Sequence, residues 1–363
     1  MVCLILYIII SVGVDNSYIN SNRILDSSLS SKRKNEWDIV KVFAIFLVLE
    51  GHSIMHLRSG DYWQNPAYLW ICSFHMPLFM IVTGYFSYNA LRIDSIYKFV
   101  KHKVVQLLLP IVSWSILFAV SEFFLSGTQH LKKDLIYTFW FLRSAFACYV
   151  IFYLCLRIFK KNFITGLTIT IFITFFIKSF NLDLMYPCFV FGYFLNRKFE
   201  FYNQIKLKVL ILSLFLYIFI CVFFLNDIHV YNSANPKQML YPYPNFNNFI
   251  VHIGGYFIRL ASGISGSMIW ISLILLFKDK LTGKFWNNVS YIGRYTLAIY
   301  ILQTYFLERY MPAIVKFDNF GEWVYTIIIC PVLSLLVLIF CFYLGHFINR
   351  WKISRLLFLG IEK

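Results

Sequence analysis

Ten long apolar runs leave this chain very few folds. They lie at residues 37–57, 67–89, 104–125, 134–158, 162–179, 183–196, 207–226, 248–277, 289–310 and 322–347. A helix needs about 20 apolar residues to cross a bilayer, and most of the runs meet that length. Composition agrees: 60% of the 363 residues are hydrophobic, 20% aromatic and 14% charged, where a soluble domain carries about 25% charged residues. Lipid must therefore cover part of the apolar surface. The predicted fold is an all-α polytopic membrane protein of about ten transmembrane helices. The sixth run is short and interrupted by Pro187 and Gly192, and the eighth carries Gly254, Gly255, Gly263 and Gly266, which predict a kink or break.

The net charge of +16 is read as topology rather than nucleic-acid binding. With the N-terminus in the cytoplasm, roughly two-thirds of the 33 Lys and Arg residues fall on the inner side, as the positive-inside rule requires. Both termini are then cytoplasmic, and the Tyr-, Asn- and Pro-rich loop 227–247 faces outside, a composition suited to stacking on sugars. Residues 1–35 form an N-terminal appendage, 36–350 the membrane domain and 351–363 a cytoplasmic tail. The first fourteen residues are apolar but too short to span, and lack the basic start and small-residue cleavage site of a signal peptide. The eight cysteines are scattered through apolar stretches with no C-x-x-C pair, so neither a metal site nor a disulfide framework is predicted. Phosphate-loop and dinucleotide-binding glycine motifs are absent.

The first run carries the functional signal. In "KVFAIFLVLEGHS", residues 41–53, ionisable groups sit where they are costly, and such groups usually mark function. Lys41 and His52 are eleven residues apart, which puts them on nearly one face of a helix, about 16 Å apart along its axis. Asp38 lies one turn below Lys41. The predicted stripe has a cation at the inner rim and a titratable ring near mid-membrane. A neutral imidazole can act as general base for a hydroxyl or carry an acyl group transiently. Each residue also has a plain reading: His52 packed against a neighbouring helix, Lys41 snorkelling to the interface. Glu50 falls on the opposite face and receives no catalytic role.

These segments resemble the acyltransferase-3 family of integral membrane O-acyltransferases, in particular its fucose 4-O-acetylase-like branch. Lys41-x10-His52 matches the basic residue, ten residues and histidine of that family's first helix. Asp38 precedes it, and Gly51-His52-Ser53 matches in full. "FHMPLFMIVTGYF" at 74–86 places Phe74, His75, Pro77, Phe79 and Gly84 on the second-helix pattern. "TFWFLRSAF" at 138–146 and "SYIGRYTLAIYILQTYF" at 290–306 resemble later segments, with Gln303 where many relatives have histidine. One departure stands out. The family's Arg-x-x-Arg pair after the second helix is here Lys103-x-x-Gln106, which loses the guanidinium fork that grips phosphate bidentately.

The resemblance implies acyl transfer, most simply of acetyl, from a cytoplasmic acyl-CoA such as acetyl-CoA to a hydroxyl of a cell-surface saccharide, of the O-antigen type, or its lipid-linked precursor. The setting is the plasma (inner) membrane, with no metal and no permanently bound cofactor. His52 is the expected base or acyl carrier, and Lys41 or Arg143 the group that holds the donor or meets developing charge. His75 is a candidate partner for His52. Arg143, Arg294 and Gln303 are expected to line the same cavity, and Tyr300 to pack. Lys98, Lys101 and Lys103 are candidate point charges for CoA phosphates, or a topology cluster only. A sugar-lipid transporter or flippase, which would also want a buried histidine and carboxylate, is the reading from another class.

Overall fold

The computed structural model describes residues 35–126, 131–224 and 246–362, and every regular element among them is helical. The predicted appendage, Asn35 apart, and nearly all of the loop 227–247 lie outside the described residues. Seven helices are long and apolar enough to cross a membrane. They are α1 (Asn35–His56), α2 (Pro66–Tyr85), α3 (Ile96–Phe124), α4 (Trp140–Ile158), α7 (Phe199–Phe224), α8 (Phe246–Leu276) and α11 (Glu322–Ile348). The other three apolar runs form shorter or broken helices. These are α5 (Phe163–Phe175), α6 (Leu182–Arg197), and a composite of α9 (Lys284–Ile292), α10 (Thr296–Gln303) and a π-helical segment over Thr304–Tyr310. A short amphipathic helix, α12 (Lys352–Leu359), follows α11 and packs on α3, where Trp114 Nε1 donates to the Phe358 carbonyl at 3.0 Å.

Lipid-facing surface is legible in exposure. On α7, Phe215 is 78% exposed, and Ile211, Ile218 and Val222 are exposed along the same helix. A face like that has no place in water, which gives the polytopic membrane fold its physical reason.

α2 is the central element, packing against α1, α6 and α8. Its start is set by Asn65, whose side-chain oxygen accepts from the backbone N–H groups of Ala67 and Tyr68 at 3.0 and 3.1 Å, with Pro66 at the first helical position. Its end is held by Tyr85, which stacks on Trp37 of α1 with ring centroids 3.7 Å apart. Against α6 the contact is backbone on backbone. A Cβ on Gly84 would collide with the Phe189 carbonyl, and one on Gly192 with the Ile81 carbonyl. Small residues at a crossing let membrane helices approach this closely, and packing replaces the hydrophobic effect as the attraction.

The expected break in α8 does not occur. The helix is continuous over 31 residues. Gly263 and Gly266 serve contact instead: a Cβ there would lie 2.7 Å from Pro77 Cγ and 2.6 Å from Phe74 Cβ of α2. His52 is followed by one further turn of α1.

Two expectations follow. Gly84→Ala and Gly192→Ala should each lower the melting temperature of the detergent-solubilised protein by several degrees. Gly254→Ala, where a Cβ meets nothing within 4 Å, should leave it unchanged or raise it slightly; equal effects at all three sites would refute the close crossing. The loop around Asn319 is tied to the end of α1 by Phe317 N–H to the Leu57 carbonyl at 3.0 Å, whereas Lys280 leads into α9, beside the start of α1. A cysteine at Asn319 should therefore react with an impermeant reagent applied outside intact cells and one at Lys280 should not. The reverse pattern would overturn the orientation with cytoplasmic termini.

Candidate active site

Two cavities are stacked between the helices. The first, about 320 Å³, is lined by His52 and Met55 of α1, His75 and Met76 of α2, Met185 of α6, Arg259 of α8, and Tyr300, Gln303, Thr304 and Glu308. The second, about 240 Å³, lies toward the other end of α1 and α2. Lys41, Thr83, Phe86, Gln106, Tyr149 and Thr296 line it. Met76 and Tyr300 belong to both linings and form the shared wall. A larger, almost wholly apolar cavity of about 660 Å³ between α5, α6, α7 and α8 holds none of the candidate residues.

In the first cavity the central contact is His52 Nδ1 to Glu308 Oε1, 3.2 Å apart, with both side chains about one-quarter exposed. The carboxylate lies at ion-pair distance from Nδ1 without meeting hydrogen-bond geometry, and leaves the other nitrogen for chemistry. The sequence reading missed Glu308. It lies two residues past the segment that carried the resemblance, in a stretch of π-helix. Hydrogen bonds there run from i to i+5, so Gln303 and Glu308 come to the same side of the helix, which an α-helical count does not place together. The segment is anchored by the Arg309–Glu122 ion pair to α3 and by Tyr305 stacked on Phe118 at 4.6 Å.

His75 lines the same cavity. Its Nδ1 lies 2.8 Å from the Ile71 carbonyl. A carbonyl only accepts, so Nδ1 carries the proton and Nε2 the lone pair. Gln303 is fully buried; its Nε2 donates to Thr304 Oγ1 at 3.0 Å and its Oε1 has no hydrogen-bond partner. A buried acceptor of that kind at a cavity wall is suited to a donor on a bound molecule. Tyr300 packs in the core as expected, edge-on to Phe141, and also lines both cavities; Arg259 supplies a cation that the sequence reading did not single out.

Lys41 lines the second cavity. It pairs with Asp38 at 3.0 Å and lies 4.4 Å from the centre of the Phe86 ring. Lys103 is beside it: buried, 2.8 Å from Gln106 Oε1 and 3.7 Å from the centroid of the Tyr149 ring, two residues of the lining. Lys98 and Lys101 are exposed on the surface.

Three further candidates are absent from the linings of these two cavities. Ser53 is buried against α11, its Oγ 3.2 Å from Ser334 Oγ and its carbonyl accepting from Tyr325 at 2.5 Å. Arg143 donates to the Ile136 carbonyl and lies over the Phe180 ring. Arg294 is exposed over Tyr291. Arg294 sits at a helix end and reaches outward, whereas Arg143 is half-buried and within electrostatic reach of Tyr300 on the cavity wall.

Residues 34–346 match the model of the acyltransferase-3 family, described as "Acyltransferase domain". The chain belongs to that family. It is also similar to two curated proteins named nodulation protein NolL. The one from Sinorhizobium fredii is 29% identical over 136 residues, covering 34% of this chain and 37% of that protein. The one from Mesorhizobium japonicum is 30% identical over 135 residues, covering 34% and 36%. The alignments thus span little more than a third of these relatives. No solved structure matches the chain.

Proposed function

We propose that this protein is a membrane O-acyltransferase that moves an acyl group, in the simplest case acetyl, from cytoplasmic acyl-CoA to a saccharide hydroxyl. The observation that carries the reading is the His52–Glu308 pair in a cavity that abuts, through Met76 and Tyr300, the cavity of Lys41. Membership of the acyltransferase-3 family supports it.

The two cavities suit the two halves of the reaction. CoA is polyanionic, and Lys41 and Lys103 put two cations at the donor end. The thioester, at the tip of a slender arm, is the part that must reach the wall at Met76 and Tyr300. The acceptor enters the His52 cavity. With Nδ1 facing Glu308, His52 takes the hydroxyl proton on Nε2 as the oxygen attacks the thioester carbonyl. The C–S bond then breaks and the thiolate leaves, regaining a proton from His52. Glu308 orients the ring and stabilises the imidazolium, as the carboxylate of a Ser-His-Asp triad does. Arg259 offers a positive charge to the developing oxyanion. Gln303 Oε1 is free to accept from the acceptor's hydroxyls.

The test is consumption of acetyl-CoA by the purified protein with saccharide acceptors. His52→Ala and His52→Gln should both reduce kcat by about 10²–10⁴-fold, since glutamine cannot take the proton. Glu308→Gln should also lower kcat, by less, with donor KM little changed. Recovery of most activity in His52→Gln would remove histidine as the base. For the donor, Lys41→Gln and Lys103→Gln together should raise its KM without altering that of the acceptor, whereas Lys98→Gln and Lys101→Gln should leave both constants unchanged. A donor KM that responds only to the second pair would move the CoA site to the exposed cluster.

A further inference from the structure

We propose that His52, His56 and Glu308 form a binding site for a divalent transition ion of the zinc class, and that an ion there switches off the base. The three residues offer one ligand atom each, and these atoms all lie within 4.8 Å of one another. His52 and His56 are four residues apart on α1, so they share one face. Their rings are parallel to within 6°, centroids 5.7 Å apart. Glu308 enters from the π segment, already 3.2 Å from His52 Nδ1.

Ligand chemistry selects the ion. Two imidazoles and one carboxylate suit zinc, nickel or copper, whereas magnesium and calcium prefer all-oxygen shells. Zinc takes nitrogen at about 2.0–2.1 Å and carboxylate oxygen at about 2.0–2.2 Å in a tetrahedron, which puts ligand atoms roughly 3.4 Å apart. The His52–Glu308 distance already meets that. His56 must close by about an ångström, within the reach of side-chain rotation at the last turn of a helix. Three protein ligands leave a fourth position for water.

The consequence for His52 follows from its tautomer. An ion on Nδ1 takes that lone pair, so the neutral ring carries its proton on Nε2. A protonated Nε2 cannot accept a proton from a hydroxyl. The ion also occupies the Glu308 oxygen that orients the ring. Zinc binding and proton transfer by His52 therefore exclude each other. The switching part rests on the function proposed above; the binding part does not.

Binding is read without any assay of transfer. The full-length protein, purified in detergent with a tag free of histidine and stripped with chelator, would be titrated with Zn²⁺ by calorimetry and with Co²⁺ by visible absorption. One ion per chain should bind, unaffected by excess Mg²⁺. His56→Ala, and His56→Gln as the more conservative change, should each weaken binding at least ten-fold, as should Glu308→Gln. Absence of a bound equivalent, or an affinity indifferent to both His56 variants, would overturn the site. In the transfer assay, Zn²⁺ should inhibit the wild-type protein, and His56→Ala should keep its transfer rate at the same concentration. Stoichiometric binding without inhibition would overturn the switch. A wild-type protein that binds Zn²⁺ as described but transfers nothing would count against the proposed function alone.

Discussion

Where Gly84 faces the Phe189 carbonyl and Gly192 the Ile81 carbonyl, α2 and α6 approach until the backbone of each touches that of the other. Any side chain larger than a hydrogen at either position would push the helices apart. α2 also bears on α1 and α8, so a displacement there moves three contacts together. The residues around the His52 cavity come from these same helices: His52 from α1, His75 and Met76 from α2, Met185 from α6, Arg259 from α8. The dimensions of the cavity are thus set by a crossing that lies outside it. Pro77 and Phe74 continue the arrangement, filling the space that Gly263 and Gly266 leave on α8.

Around that frame, polar side chains divide by what they touch. One group ties helix to helix: Ser73 to Tyr217 at 2.6 Å, Tyr202 to Ser272 at 2.8 Å, Asn65 to Thr326 at 2.8 Å, Ser53 to Ser334 at 3.2 Å. In a membrane such bonds average only about 0.6 kcal/mol each, because the unfolded reference also finds partners. Their value is more in fixing register than in strength. The other group converges on the cavities, and there Gln303 keeps an acceptor with no partner.

Much of this was legible in sequence because helical spacing is simple arithmetic. The apolar runs locate the helices, and the stripe of Asp38, Lys41 and His52 follows from residue counts on one uninterrupted helix. The same arithmetic failed where the backbone leaves the α-helical period or where the reason for a residue lies on another helix. Glu308 sits in π-helix, so its facing could not be counted from Tyr300 or Gln303. The glycines of α8 read as weakness in isolation and prove to be contact points for α2. Arg294 reads as a cavity residue because it interrupts an apolar run, but it is exposed over Tyr291. Ser53 adjoins His52 in sequence, yet adjacent residues on a helix point about 100° apart, and Ser53 meets α11 instead.

The shared wall gives the two cavities their meaning on the proposed reading. Cavities of about 320 and 240 Å³ are each small beside a whole CoA. The nucleotide end must remain outside, near the cations, and only the arm and its thioester enter. Phosphate charge then stays beside Lys41 and Lys103, while the proton moves between a hydroxyl, His52 and a thiolate on the far side of Met76 and Tyr300. That separation matters electrostatically. Within the His52 cavity, Glu308 favours the imidazolium formed when the hydroxyl is deprotonated, against the opposing charge of Arg259 on the same lining. The distance between the rim cation and the base, about three turns of α1, lets one helix serve two charges of opposite requirement. On that reading the thioester meets the acceptor at Met76 and Tyr300, the two residues common to both linings.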